Sequence, residues 1–147
     1  MRKSLFALSA TALLATPVTG VARDTTHYLD FQSVVQAAIA DGQLDGTVSF
    51  YLKGQKVPGA VARTFEEALS NRKTNAFGKT DEEACNWALR SVLIAFQENA
   101  KKNGANAVIN LVSYYKKKEY ANPAKFECHA GAAVAGAALK GQAAIVK

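Results

Sequence analysis

Phe77-Gly78-Lys79-Thr80 carries the end of a phosphate-binding loop, G-x-x-x-x-G-K-[ST]. In that loop successive backbone amides wrap a phosphate and the lysine reaches its outer oxygens. The pattern requires a glycine five residues before Gly78, and Lys73 stands there instead. Thr80 also has a competing role as a helix cap. Nucleotide chemistry is therefore not expected. Cys85 and Cys128 are the two cysteines of the chain. An even count in an exported chain points to one disulfide rather than to thiol chemistry, with two buried free thiols as the alternative. His27 and His129 show no metal-ligand spacing. Cys128 and His129 are neighbours in a strand and so point to opposite faces, although His129 could join Glu127 in a surface site. No G-x-S-x-G is present, and Glu66-Glu67 and Glu82-Glu83 do not converge. These readings give no catalytic residue, no metal and no cofactor.

Two polar stretches remain. Tyr114-Tyr115-Lys116-Lys117-Lys118-Glu119-Tyr120 mixes aromatics and cations, as single-strand nucleic-acid platforms do. Lysines at a strand end more often form a solvated rim that deters edge pairing, so nucleic acid is not an expected partner. Residues 71–79 are dense in hydrogen-bonding groups and precede a helix N-terminus, which favours anions. Asn71, Arg72, Lys73, Asn75, Phe77 and Lys79 are the candidate ligand or partner surface. The alternative is an ordinary connecting loop.

The elements that must position these residues follow from periodicity. Phe31, Val34, Val35, Ala38 and Ile39 form one apolar helix stripe, started by Asp30 and ended by Gly42. Val48, Phe50 and Leu52 make one face of a strand over 47–52. Residues 60–74 are read as a strand in part, with a helical turn over Phe65–Leu69 as the alternative. Thr80-Asp81-Glu82-Glu83 is a capping box that opens a helix over 81–103, closed by Gly104. Cys85, Leu89, Val92, Phe96 and Ala100 are its inner stripe, with Asn86, Arg90, Gln97 and Lys101 opposite. Residues 107–115 read as a covered strand, with Ile109 and Leu111 on one face and Val108 and Val112 on the other. Residues 125–130 alternate, with Phe126, Cys128 and Ala130 facing inward. The Ala- and Gly-rich tail is open between strand and short helix. A Cys85–Cys128 bond would staple helix to sheet.

The chain has 147 residues. Its start reads as an export signal: Arg2 and Lys3, a short apolar run over 5–15, Pro17, then Gly20-Val21-Ala22 as a cleavage site. The run is too short for a membrane span, and no later one is long enough. Residues 1–22 are expected to be cleaved, leaving a single domain over 23–147, periplasmic or secreted, where disulfides persist. Two of the 18 basic and none of the 12 acidic residues lie in the signal, which leaves 16 against 12, a net +4. That mild excess falls short of a nucleic-acid footprint.

Residues 71–79, Asp81-Glu82-Glu83-Ala84-Cys85, Gly104-Ala105-Asn106-Ala107-Val108-Ile109-Asn110 and Phe126-Glu127-Cys128-His129-Ala130-Gly131 together resemble a family of small exported bacterial proteins labelled "excinuclease ATPase subunit". The label implies a DNA-linked ATPase. Over residues 81–139 the chain is also distantly similar to YbjQ-like domains and to the Rcs-pathway outer-membrane stress sensor. Those resemblances imply a helix followed by two strands, a disulfide-bonded domain, and ring-like oligomers. Taken together, the sequence is read as α+β: a long helix packed on a small sheet, with an extra amphipathic helix near the mature N-terminus. The leading functional expectation is a non-catalytic binding or interaction module tied to envelope homeostasis, its partner an envelope protein or small ligand, with homo-oligomers open. The alternatives are a small hydrolase-like enzyme and, last, the ATPase.

Overall fold

The computed structural model describes Ala15 and residues 23–147. The export signal therefore lies outside the described residues, apart from Ala15. The elements run β1 (Thr25–Asp30), α1 (Phe31–Ala40), β2 (Ser49–Leu52), β3 (Val61–Asn75), α2 (Asp81–Lys102), β4 (Ala107–Tyr115), β5 (Lys118–Tyr120), β6 (Lys125–Ala130) and β7 (Val134–Val146). Both helices begin where a side chain satisfies an orphan amide. The Ser33 amide donates to Asp30 Oδ2 at 2.8 Å, and the Glu83 amide donates to Thr80 Oγ1 at 3.1 Å. Asp81, Glu82 and Glu83 in the first turn of α2, and Lys101 and Lys102 in its last, complement the helix dipole.

The fold is mainly β, which overturns the expected long helix on a small sheet. Among the described residues a seven-stranded mixed sheet, with two helices, dominates. The correction comes from two segments that lack a clean polarity period. Residues 61–75 form one 15-residue strand, and the Ala- and Gly-rich tail forms a 13-residue strand. Alanine has poor strand propensity, but β7 is zipped from both sides, and tertiary pairing outweighs that preference. β3 runs antiparallel along all of β7. On its other side β7 pairs with β6 at its start and with β4 farther along. β1 extends the β6 side, β2 pairs parallel to β4, and β5 forms a hairpin with β4. The turn of that hairpin is Lys116-Lys117, with φ of 50° and 62°, the two-residue turn whose twist matches the strands.

α2 covers one face of the sheet. Its stripe of Cys85, Leu89, Val92, Phe96 and Ala100 packs with Val108, Leu111, Phe126, Ala137 and Leu139 in the main core. The small side chains of β7 let the helix approach the backbone closely. Gln97, expected on the outer side of the helix, is only 8% exposed, and its Oε1 accepts from the Asp45 amide at 3.0 Å. Cys85 and Cys128 are disulfide-bonded, with Cα atoms 5.8 Å apart and a sequence separation of 43. Closing that loop is worth about 4 kcal/mol on the chain-entropy account.

β4 departs from strict alternation. Asn110 has φ of 55°, and the register with β7 shifts between Ile109 and Val112. This bulge adds one residue and reverses the facing. Val108 and Leu111 thus share the α2 side, while Ala107 and Ile109 join Ala144 in a small cluster elsewhere. The expected pairing of Ile109 with Leu111 on one face is corrected accordingly. Gly141 crosses here: a Cβ on it would meet Leu111 Cδ2 at 2.7 Å.

Candidate functional site

The sheet face away from α2 is open. Because Phe126, Cys128 and Ala130 turn into the core, Glu127 and His129 must turn outward. They are nevertheless well covered, with side chains 14% and 13% exposed. His129 Nε2 lies 2.7 Å from Glu127 Oε1, and Nδ1 lies 3.1 Å from Asp24 Oδ1. Thr26 Oγ1 is 3.4 Å from Nδ1. The Tyr115 ring covers the imidazole, with centroids 3.4 Å apart and planes 12° from parallel.

Each partner arrives by a separate route. Thr26 is placed by the register of β1 on β6, where it is the direct partner of His129. Asp24 follows from the chain just before β1. Tyr115 lies on β4 beyond the Asn110 bulge. The chain before β1 is itself tied to α2. Arg23 Nη1 and Nη2 donate to the two Asp81 oxygens at 2.7 and 3.0 Å, and Nη2 also donates to the Gly131 carbonyl at 3.0 Å. His27 Nε2 lies 2.9 Å from Asp81 Oδ2. The Arg23 hydrogen bond, with a smaller one from His27, holds the Asp81 carboxyl down at about 2 against desolvation that opposes it.

Two concavities flank the Tyr115–His129 pair. One, of about 380 Å³, is lined by Arg23, Asp24, Lys73 and the Gly131–Val134 turn. The other, of about 290 Å³, is lined by Thr26, Lys116, Lys118, Tyr120 and Glu127. Tyr28 and Tyr120 meet beside them with centroids 4.6 Å apart. Farther along, Lys140 sits 4.4 Å over the Tyr114 ring and 3.5 Å from Glu119. Lys53 first, then Lys140, hold the Glu119 carboxyl below the usual carboxylate range.

The chemistry open to this arrangement is limited. Thr26, His129 and Glu127 form a row of hydroxyl, imidazole and carboxylate, the order that activates a nucleophile. Asp24, however, is closer than Thr26 to the nitrogen that would take the proton. A carboxylate therefore stands at each ring nitrogen. The same geometry sends the two carboxylates to opposite ends of the ring rather than to one shared centre. Among the described residues no group of three or more His, Cys, Asp or Glu is arranged to hold a metal ion.

The six residues expected as a surface do not form one. Strand alternation sets Asn71, Lys73 and Asn75 on the open face, beside Ala138, Gly136 and Val134. Arg72 turns to the α2 side, next to Phe96 and Asn99. Phe77 and Lys79 lie in the turn before α2. There Asn75 Oδ1 accepts from the Phe77 amide at 2.8 Å, and Lys79 Nζ donates to the Asn75 carbonyl at 3.0 Å. Phe77 is 79% exposed. Of the six, Lys73 lines a concavity beside His129. Asp24, Thr26 and Tyr115 escaped sequence reasoning as partners of His129. The signal available was the spacing of Glu127 and His129, two apart in an alternating strand and hence on one face.

Among the described residues no helix is long and apolar enough to cross a membrane. Comparison with protein-family models, with curated proteins and with solved structures finds no match.

Proposed function

We propose that this chain is a non-catalytic binding module of the periplasm or the secreted fraction, acting through its open sheet face in envelope homeostasis. The observation that carries the reading is the Tyr115–His129 pair held between Asp24 and Glu127, with a concavity on each side. Such a surface is preorganised: its imidazole is fixed by three neighbours, and the strand beneath is stapled to α2 by the disulfide. Preorganised aromatic and polar groups lower the ordering cost of binding. The ligand class that fits is an envelope protein segment or small molecule with both an aromatic or apolar part and hydrogen-bonding groups.

The enzyme reading has one observation in its favour, the Thr26–His129–Glu127 row. Asp24 counts against it by occupying the nitrogen that a hydroxyl would need. The ATPase reading has less. The Lys79 ammonium is engaged by the Asn75 carbonyl, and the Thr80 hydroxyl caps α2.

The test is capture from envelope extract by immobilised residues 23–147, compared with a Tyr115→Ala/His129→Gln variant shown to be folded. A partner retained by the first and lost by the second is the expected result. Ester, phosphodiester and ATP hydrolysis are assayed on the same samples. Turnover abolished by Thr26→Val would replace the binding module with an enzyme.

A further inference from the structure

β3 is the longest strand of the sheet, and among the described residues its pairing is entirely with β7. Its second edge therefore presents unpaired amides and carbonyls, a template for another strand. The Ala76 amide donates to the Ala133 carbonyl at 2.9 Å, and this pair continues the β3–β7 register. Alternation from it makes Thr74, Arg72 and Ser70 the residues whose backbone groups bond to β7. Leu69, Asn71 and Lys73 direct theirs outward. The middle of this edge carries no proline, and Leu69 is 60% exposed.

We propose that Glu67–Lys73 pairs antiparallel with the same segment of a second copy of this chain, about a two-fold axis through Ser70, joining two seven-stranded sheets into one. Charge selects this register. With the axis at Ser70, Glu67 of each copy lies opposite Lys73 of the other, twice across the interface and on the open face. Moving the axis to Asn71 sets Glu67 against Asn75 and loses both charge pairs. Moving it to Leu69 sets Glu67 against Asn71 and offers instead Glu66 against Arg72, but Glu66 lies within the register shift that ends the pairing segment. Within one chain Glu67 has, among the described residues, only a loose ion pair, 3.7 Å from Lys140.

The α2 side is compatible with the same axis. Ala68 would lie opposite the long Arg72 of the second copy. Beside Ala68 is a groove of about 400 Å³, lined also by Ser70, Phe96, Asn99 and this chain's own Arg72, with room for the stem of the second copy's arginine. Ser70 has a buried hydroxyl with no hydrogen-bond partner among the described residues of the single chain. On the axis it faces its symmetry mate at the close spacing of a non-hydrogen-bonded pair, where rotation about χ1 lets the two hydroxyls bond. The register shift between Thr64 and Glu67 bends the strand and ends the pairing segment there. An axis perpendicular to the sheet keeps both open faces, and both His129 clusters, on one side of the joined sheet.

Sedimentation equilibrium on residues 23–147, disulfide intact, tests this without reference to any ligand. The wild type is expected to show a concentration-dependent monomer–dimer equilibrium. Lys73→Glu, which turns two attractions into two repulsions, is expected to weaken the dimer about tenfold or more. Adding Glu67→Lys to it is expected to restore the dimer. Asn71→Pro, which removes an outward amide but no bond to β7, is expected to give monomer, with circular dichroism confirming the fold. A wild type of monomer mass at about 1 mM chain would overturn the proposal. A dimer indifferent to both Lys73→Glu and Asn71→Pro would overturn it equally.

Discussion

Tyr115 lies flat against His129, 3.4 Å between ring centroids, although the two sit on different strands that do not pair with each other. The stack closes the imidazole from above while Glu127 and Asp24 close its two ends. Removing the ring with Tyr115→Ala is expected to cost about 0.5–1.5 kcal/mol from the stack beyond the loss of buried area. Tyr115→Phe keeps the stack and is expected to be near neutral. Urea unfolding of both variants checks the pair. Equal losses would mean that the hydroxyl, not the stack, matters.

Cys85 and Cys128 are both fully buried and join α2 to β6. The double Cys→Ala variant is expected to lose roughly 2–5 kcal/mol, read from the denaturant midpoint. Thiol counting on the unfolded, unreduced wild type is expected to find none. Two free thiols would remove the staple.

The Asp81 carboxyl, held at about 2 chiefly by Arg23, titrates below its usual 3.8. A group depressed in the folded state contributes stability that is present above its unfolded value and lost as pH falls through its folded one. The contribution should thus be complete above pH 4 and fade toward pH 2. Arg23→Ala is expected to return the carboxyl toward 3.8, followed by the side-chain carbon shift in an NMR titration. An Asp81 that titrates near 3.8 in the wild type would contradict the Arg23 clamp.

Asn110 holds the bulge with φ of 55°, a conformation that asparagine tolerates and β-branched residues do not. Asn110→Val is expected to destabilise by about 1–2 kcal/mol, whereas Asn110→Gly should be close to neutral. Thermal midpoints of the two variants, compared side by side, decide this. Similar midpoints would place the strain elsewhere.

Lys116 and Lys117 both adopt the left-handed region in the β4–β5 turn. Replacing them by Asn-Gly, the pair suited to that turn, is expected to raise stability by about 1 kcal/mol or more. No gain on chemical denaturation would indicate that the lysines contribute contacts that offset their backbone cost.

What the sequence determined by itself was local or had few alternatives. The start of α2 is written in Thr80 and the three acids after it. The α1 stripe is written in Phe31, Val34, Val35 and Ala38. The outward pairing of Glu127 with His129 is written in the alternation of residues 125–130. Two cysteines in one chain leave one intramolecular pairing. These signals survive in sequence because they depend on neighbours within four residues, or on counting.

The tertiary structure decided the rest. In β7 alanine falls on both faces, so there is no polarity contrast for a period to show, and its strand character comes from backbone hydrogen bonds to β3, β4 and β6. In β3 most side chains are exposed, so burial imprints little pattern on it either. The bulge at Asn110 reversed the facing of β4 by a single residue, a change that side-chain types hardly register. The cluster around His129 followed the same rule. Asp24, Thr26, Tyr115 and His129 come from three stretches of chain, and only strand register brings them together. Register is fixed by main-chain bonds that every residue type can make, so it leaves almost no trace in the identities of the residues it aligns.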